Sequence, residues 1–140
     1  MSIKSSLTVL SLILLLGNTS AVSSKEVSVK TLTKTSQSWD GTELPAYPSG
    51  KPEITVLDIV IPAGTELPLH LHPVINAGVV ITGELHVTKQ SGEQLILKAG
   101  DPIVELVHQW HKGKAIGDED VRIIVFYAGE QGKAITVKKH

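Results

Sequence analysis

An all-β sandwich or barrel is the fold class predicted by this chain, and three observations predict it. Short apolar runs rich in Val, Ile and Leu recur about every ten residues, each closed by Gly, Pro, Asn, Asp or Ser turn chemistry. Beyond the extreme N-terminus, no segment sustains a 3.6-residue apolar period. There is no cysteine and 41% of residues are apolar with few aromatics, so an aliphatic core alone must hold the fold.

In chain order, the first element stands apart from the domain. Lys4 precedes the apolar run Leu7–Leu16 (LTVLSLILLL), and the small residues Thr19 and Ala21 follow. A basic start, about ten apolar residues and small residues ahead of a cut describe a secretory signal peptide. The run is shorter than the roughly 20 residues of a membrane span. Residues 1–21 are therefore expected to be removed by cleavage after Ala21, with a cut after Ser23 as the competing position and an uncleaved anchor as the alternative. A periplasmic or secreted protein follows, with no membrane contact after cleavage. With no cysteine, lipid attachment to cysteine at the cut is excluded.

Residues 22–52 read as a polar, Thr- and Ser-rich arm or edge strand, and 53–140 as the barrel. Glu53–Ile61 (EITVLDIVI) is apolar at both parities, which predicts a strand buried on both faces. Val79–Thr82 ends at Gly83. Leu85 and Val87 alternate with Glu84 and His86, the pattern of a strand with one wet face. Leu95–Leu97, Ile103–Val107 and Val121–Tyr127 complete the strands. Removing Lys4 moves the formal charge only from −1 to −2, and no basic patch suggests nucleic acid.

The stretch 64–78 (GTELPLHLHPVINAG) places His70 and His72 one residue apart in an apolar context. Side chains two apart on a strand share a face, with α-carbons about 6.6 Å apart. Two imidazoles so placed can converge on one metal at about 2.0–2.1 Å, or be hydrogen-bonded or surface residues. Of the other histidines, His111 is best placed as a third ligand, just beyond Ile103–Val107.

Gly64, His70, His72 and Gly83, followed by Gly100-Asp101 and His111, resemble in order and spacing the two conserved motifs of the cupin superfamily. The likeness covers roughly 53–129. More narrowly, SWDGTELPAYPSGKPEI (38–54), ELVHQWHKG (105–113) and VFYAG (125–129) resemble a group of small exported bacterial single-domain cupins. The resemblance implies a single double-stranded β-helix, or jelly-roll, with His70, His72 and His111 at its mouth. Asn76 stands near the position of the family's usual glutamate and is either a fourth, uncharged ligand or a turn residue. A site of neutral donors favours one divalent transition metal ion, namely iron, nickel, copper or zinc, over oxygen-preferring manganese.

Other departures concern the second motif. His108 occupies a usual glycine position and reads as a solvent-facing turn residue or an extra polar group at the pocket mouth. Glu105 is a carboxylate in an apolar strand, read as structural or as a partner of the site rather than a ligand, although an inward turn would supply the missing charge. His86 is expected to face solvent, His140 to have no partner, Trp39 and Trp110 to be packing anchors. The functions in view are a metal-dependent enzyme of dioxygenase or isomerase type acting on a small molecule, or a non-catalytic module that holds a metal or small ligand. The resemblance also implies a homodimer.

Overall fold

The computed structural model describes residues 25–139, so the expected signal peptide and His140 lie outside the described residues. Nine strands and no helix appear among them: β1 (Pro52–Ile61), β2 (His70–Leu71), β3 (Ile75–Thr82), β4 (Glu84–Lys89), β5 (Gln94–Lys98), β6 (Pro102–Val104), β7 (His111–Ile116), β8 (Val121–Glu130) and β9 (Val137–Lys138). They form two antiparallel sheets, β1-β8-β3-β6 and β5-β4-β7-β2-β9. The two sheets face each other across an aliphatic core, the double-stranded β-helix expected.

Period-2 alternation builds that core. Val121, Ile123, Val125 and Tyr127 of β8 point inward between exposed or half-buried neighbours, and Leu85 and Val87 of β4 do the same. The expectation for Glu53–Ile61 is corrected. Leu57, Ile59 and Ile61 face the interior, but Ile54, Val56 and Val60 are 57%, 60% and 58% exposed. β1 is an edge strand paired only with β8, and among the described residues its outer face stays exposed.

β6 is also shorter than the expected Ile103–Val107. Regular pairing stops at Val104, and Glu105, Leu106 and Val107 follow as three consecutive buried residues. β7 (HKGKAI) escapes a hydrophobicity reading because His111 and Gly113 occupy its inward positions with Ala115.

Gly83 makes the β3–β4 turn at φ +73°, and a Cβ there would lie 2.7 Å from the Asp120 carbonyl oxygen. Left-handed strain and a backbone clash act together, so Gly83→Ala is expected to cost about 1–3 kcal/mol. Urea denaturation checks it, and an unchanged midpoint would contradict the turn geometry.

The arm ahead of β1 is tied down by side chains rather than by a ladder. Among its described residues one bridge joins Gln37 to Glu43. Trp39 N–H donates to Val104 O, and the buried Ser38 hydroxyl donates to Glu105 O at 2.8 Å. Asp40, only 4% exposed at its side chain, accepts from Lys89 Nζ of β4 at 2.7 Å. Burial alone would raise the Asp40 pKa, but the Lys89 and Thr42 hydrogen bonds outweigh it and bring it down to about 2. A depressed carboxylate stabilises the fold above its ordinary 3.8, and that stabilisation is lost as pH falls toward 2. Asp40→Asn should therefore lower stability by about 1–2 kcal/mol at neutral pH, with the difference closing near pH 2. Equal melting curves at pH 7 would contradict this.

Candidate metal centre

The site is assembled where the second sheet meets the end of β6. β2 pairs with β7 in a register that sets His70 directly opposite His111. His72 lies two residues on, held by a parallel bridge to Val107 and by His108 N–H donating to its carbonyl at 2.8 Å. The three rings form a nearly equilateral group, with centroids 4.5 Å apart for His70–His111, 5.0 Å for His70–His72 and 5.1 Å for His72–His111. Their ligating nitrogens all lie within 4.8 Å of one another. The sequence pairing of His70 and His72 with His111 is thus a spatial cluster with the shape to hold a metal ion.

The hydrogen bonds fix which nitrogen of each ring is available. His70 Nδ1 is 2.8 Å from Pro68 O, His72 Nδ1 is 3.0 Å from Ile135 O, and His111 Nδ1 is 2.9 Å from Gln109 O. A carbonyl oxygen can only accept, so each Nδ1 carries the proton and donates. Burial lowers all three pKa values, that of His72 to about 4, which keeps the rings neutral. Each Nε2 is therefore a lone pair. Backbone carbonyls that orient the imidazole in this way are the usual support of metal-binding histidines.

Glu105, read from the sequence as structural or as a partner of the site, stands beside it. It is buried, 8% exposed, and lines the same cavity as the three histidines. Its Oε2 lies 3.5 Å from His111 Nε2, and neither atom has a hydrogen-bond partner. Burial raises its pKa to about 7, against the opposing influence of His70 and the Leu106 amide. Asn76 is 1% exposed; its Nδ2 donates to Val74 O at 3.2 Å, while its Oδ1 has no partner. Glu105 N–H donates to Asn76 O, and Asn76 is the register partner of Tyr127, so Tyr127, Asn76 and Glu105 form a row across the first sheet.

These shifts carry opposite signs in pH. A histidine depressed from 6.5 to about 4 makes the unfolded chain bind more protons in that window, so stability falls as pH drops through it. Glu105, raised from 4.5 to about 7, binds its proton in the folded state, so its contribution is lost as pH rises through that window. The two slopes, up to about 1.4 kcal/mol per pH unit each, oppose one another between 4.5 and 6.5. Metal-free Glu105→Gln should therefore lose stability on acidification more steeply than the parent chain. Parallel curves would contradict this.

Behind the histidines the barrel holds a cavity of about 440 Å³, walled mainly by Leu57, Ile59, Ile61, Leu85, Val87 and Val125. Its polar groups are gathered at the histidine end, where Tyr127 and Thr136 join them. Tyr127 stacks edge-on to His72 at 5.5 Å, and burial with the Glu105 charge pushes its phenol up to about 12. Sequence reasoning misses Tyr127 as a site residue, although the β8 alternation carries it inward together with Ile123 and Val125.

The other candidates fall outside the cavity. His108 is exposed at φ +57°, a left-handed turn residue that explains why glycine is usual there. His86 is half-buried beside Gln94 Oε1 at 3.1 Å. Trp110 is faced by Lys139 Nζ, 5.6 Å from its ring centre, and Trp39 packs partly buried against the core.

Known structures share this architecture. The DMSP lyase DddQ from Ruegeria pomeroyi superposes with a TM-score of 0.54 at 21% identity, over 61% of this chain and 43% of that one. An uncharacterized conserved protein with a double-stranded β-helix domain from Klebsiella pneumoniae gives 0.53 at 24% identity, over 68% and 84%. The cupin domain of Cnp3 from Schizosaccharomyces pombe gives 0.51 at 20%, over 63% and 61%. The chain spans less than half the length of the DMSP lyase, and at these identities the likeness is one of fold. No curated protein matches the chain in sequence. Residues 57–127 match the family described as Cupin domain, and together with the double-stranded β-helix and the three-histidine cluster this places the chain in the cupin family.

Proposed function

We propose that this is an exported cupin that holds one divalent transition metal ion, of iron, nickel, copper or zinc, at His70, His72 and His111 and acts on a small molecule in the barrel. One observation carries the reading: three imidazoles, each locked by a backbone carbonyl with its Nε2 lone pair free, meet at the polar end of an apolar cavity. Asn76 Oδ1, buried and without a partner, is a neutral oxygen donor for the same set. Residues 1–21 support export.

The cavity, within the 300–1,000 Å³ usual for small-molecule sites, suits a ligand with an apolar body and an oxygen-bearing head. Aliphatic side chains exclude water from the body. Tyr127, held protonated, offers a hydrogen bond to the head. A bound metal would supply Lewis acidity toward that oxygen. Dioxygenase- or isomerase-type chemistry is compatible with the arrangement. Asn76 in place of a carboxylate favours the second reading, a module that binds without turnover.

Thermal unfolding with added metals and then with a chelating probe tests the proposal. A metal at 100 times its Kd stabilises by about 2.7 kcal/mol, and acetylacetone should raise the melting temperature further only in the metal-loaded protein. Leu57→Trp, which fills the cavity, should keep the metal response and lose the second one. A probe response independent of metal would contradict the shared site.

We propose further that the chain forms a homodimer through the outer face of β1 and β8, where, among the described residues, Ile54, Val56, Val60 and Phe126 are exposed. Asp58 and Arg122, paired at 2.7 Å, are the charges on that stripe. An isologous contact buries the same apolar patch twice. Sedimentation should find a dimer that Val56→Glu dissociates; a monomeric parent chain would refute it.

A further inference from the structure

We infer that the Glu105 carboxylate is a protein ligand of the metal held by His70, His72 and His111, supplying from the end of β6 the negative charge that Asn76 does not supply from β3. The inference rests on the three-histidine reading and deepens it.

The geometry around His111 carries it. His111 Nδ1 donates to Gln109 O, so its neutral ring presents a lone pair at Nε2. Glu105 Oε2, an acceptor when ionised, lies 3.5 Å from that Nε2. Two buried acceptors 3.5 Å apart, both without a donor among the described residues, are each an unmet desolvation cost. A proton on the carboxyl would not satisfy them, because 3.5 Å is beyond an O–H···N bond. A cation between them satisfies both. Two ligands about 2.0–2.1 Å from one metal at a tetrahedral angle are separated by about 3.4 Å, close to the His111–Glu105 gap. Glu105 stands outside the group of nitrogens that lie within 4.8 Å of one another, so its side chain must swing toward His70 and His72 to complete the set.

The placement is built rather than incidental. The Glu105 backbone is clamped from both sides, with its N–H donating to Asn76 O and its carbonyl accepting from the buried Ser38 hydroxyl of the arm. Leu106, wholly buried, anchors the next residue. These contacts hold the backbone in place and present the carboxylate to the cavity at the level of His111. With Glu105 bound, a divalent ion keeps one net positive charge instead of two, and the donor set admits harder ions than three imidazoles alone.

Cobalt(II) titration of the full protein tests this, because its visible spectrum reports the ligand set whether or not an activity is known. The parent chain should bind about one cobalt with intense tetrahedral-type bands. Glu105→Gln, nearly isosteric and so expected to stay folded by circular dichroism, should lose more than about 100-fold in affinity, beyond the 10–100-fold cost of an outer-shell partner, and its bands should weaken and shift. Glu105→Ala should show the same loss, and added acetate should restore the parent spectrum by occupying the vacated position. His86→Ala, outside the cavity, should leave the bands in place. If Glu105→Gln binds cobalt with an unchanged spectrum while His111→Ala does not bind, the carboxylate is not a ligand and the three-histidine site stands. If the parent chain itself binds no cobalt, the three-histidine reading fails and this inference with it.

Discussion

Alanine at both His70 and His111 is expected to abolish metal uptake while leaving the barrel folded. The two rings are register partners on β2 and β7, and together they supply two of three convergent lone pairs. Their loss should exceed the 10–100-fold that outer-shell substitutions cost, so that bound metal falls from about one per chain to none. The fold should persist, because neither ring belongs to the aliphatic core and both are held there in a neutral state that burial disfavours charging. Elemental analysis with circular dichroism checks both halves. His86→Ala and His108→Ala, outside the cavity, should retain full uptake. Survival of binding in the double variant would show that other residues hold the metal.

Leu106→Ala should destabilise the protein by about 2–5 kcal/mol, the range for emptying a filled core position. Leu106 has no exposed surface and lies between Glu105 and Val107 in the segment that links β6 to β7. Against a total stability of about 5–15 kcal/mol the loss is large, and the melting temperature should fall by roughly 10 °C or more. Ile96→Ala, at a position 52% exposed, should stay within about 0.5 kcal/mol. A loss below about 1 kcal/mol at Leu106 would mean that this segment is loosely packed and cannot hold Glu105 in place.

Much of the barrel was legible because strand alternation is a local signal. Leu85 and Val87 against Glu84 and His86 read correctly as one dry and one wet face. The cluster of His70, His72 and His111 was legible from the motif spacing, which the register of β2 against β7 turns into ring contacts. The misreading of β1 has a physical origin. Apolar residues at both parities suit two contacts, but the sequence does not say what supplies the second, and among the described residues none does. β7 was hidden because its inward residues are a histidine, a glycine and an alanine.

Glu105 shows the limit most clearly. Strand parity predicts a direction only while the strand continues, and β6 ends at Val104. Three consecutive buried residues then follow, an arrangement no period of two describes. The hydroxyl of Ser38 and the carboxylate of Asp40 fix the arm to Glu105 O and to Lys89 through contacts 67 and 49 residues apart in sequence. Such long-range pairs leave no mark in local pattern.

Three tautomer-locked histidines are proposed to make this barrel a metal site. Elemental analysis of the protein purified after passage through its own export route tests it most directly. About one iron, nickel, copper or zinc per chain is the expected result, removable by chelator and restored on adding the ion. A metal-free protein that also fails to take up any added ion would contradict it and reduce His70, His72 and His111 to the lining of a pocket.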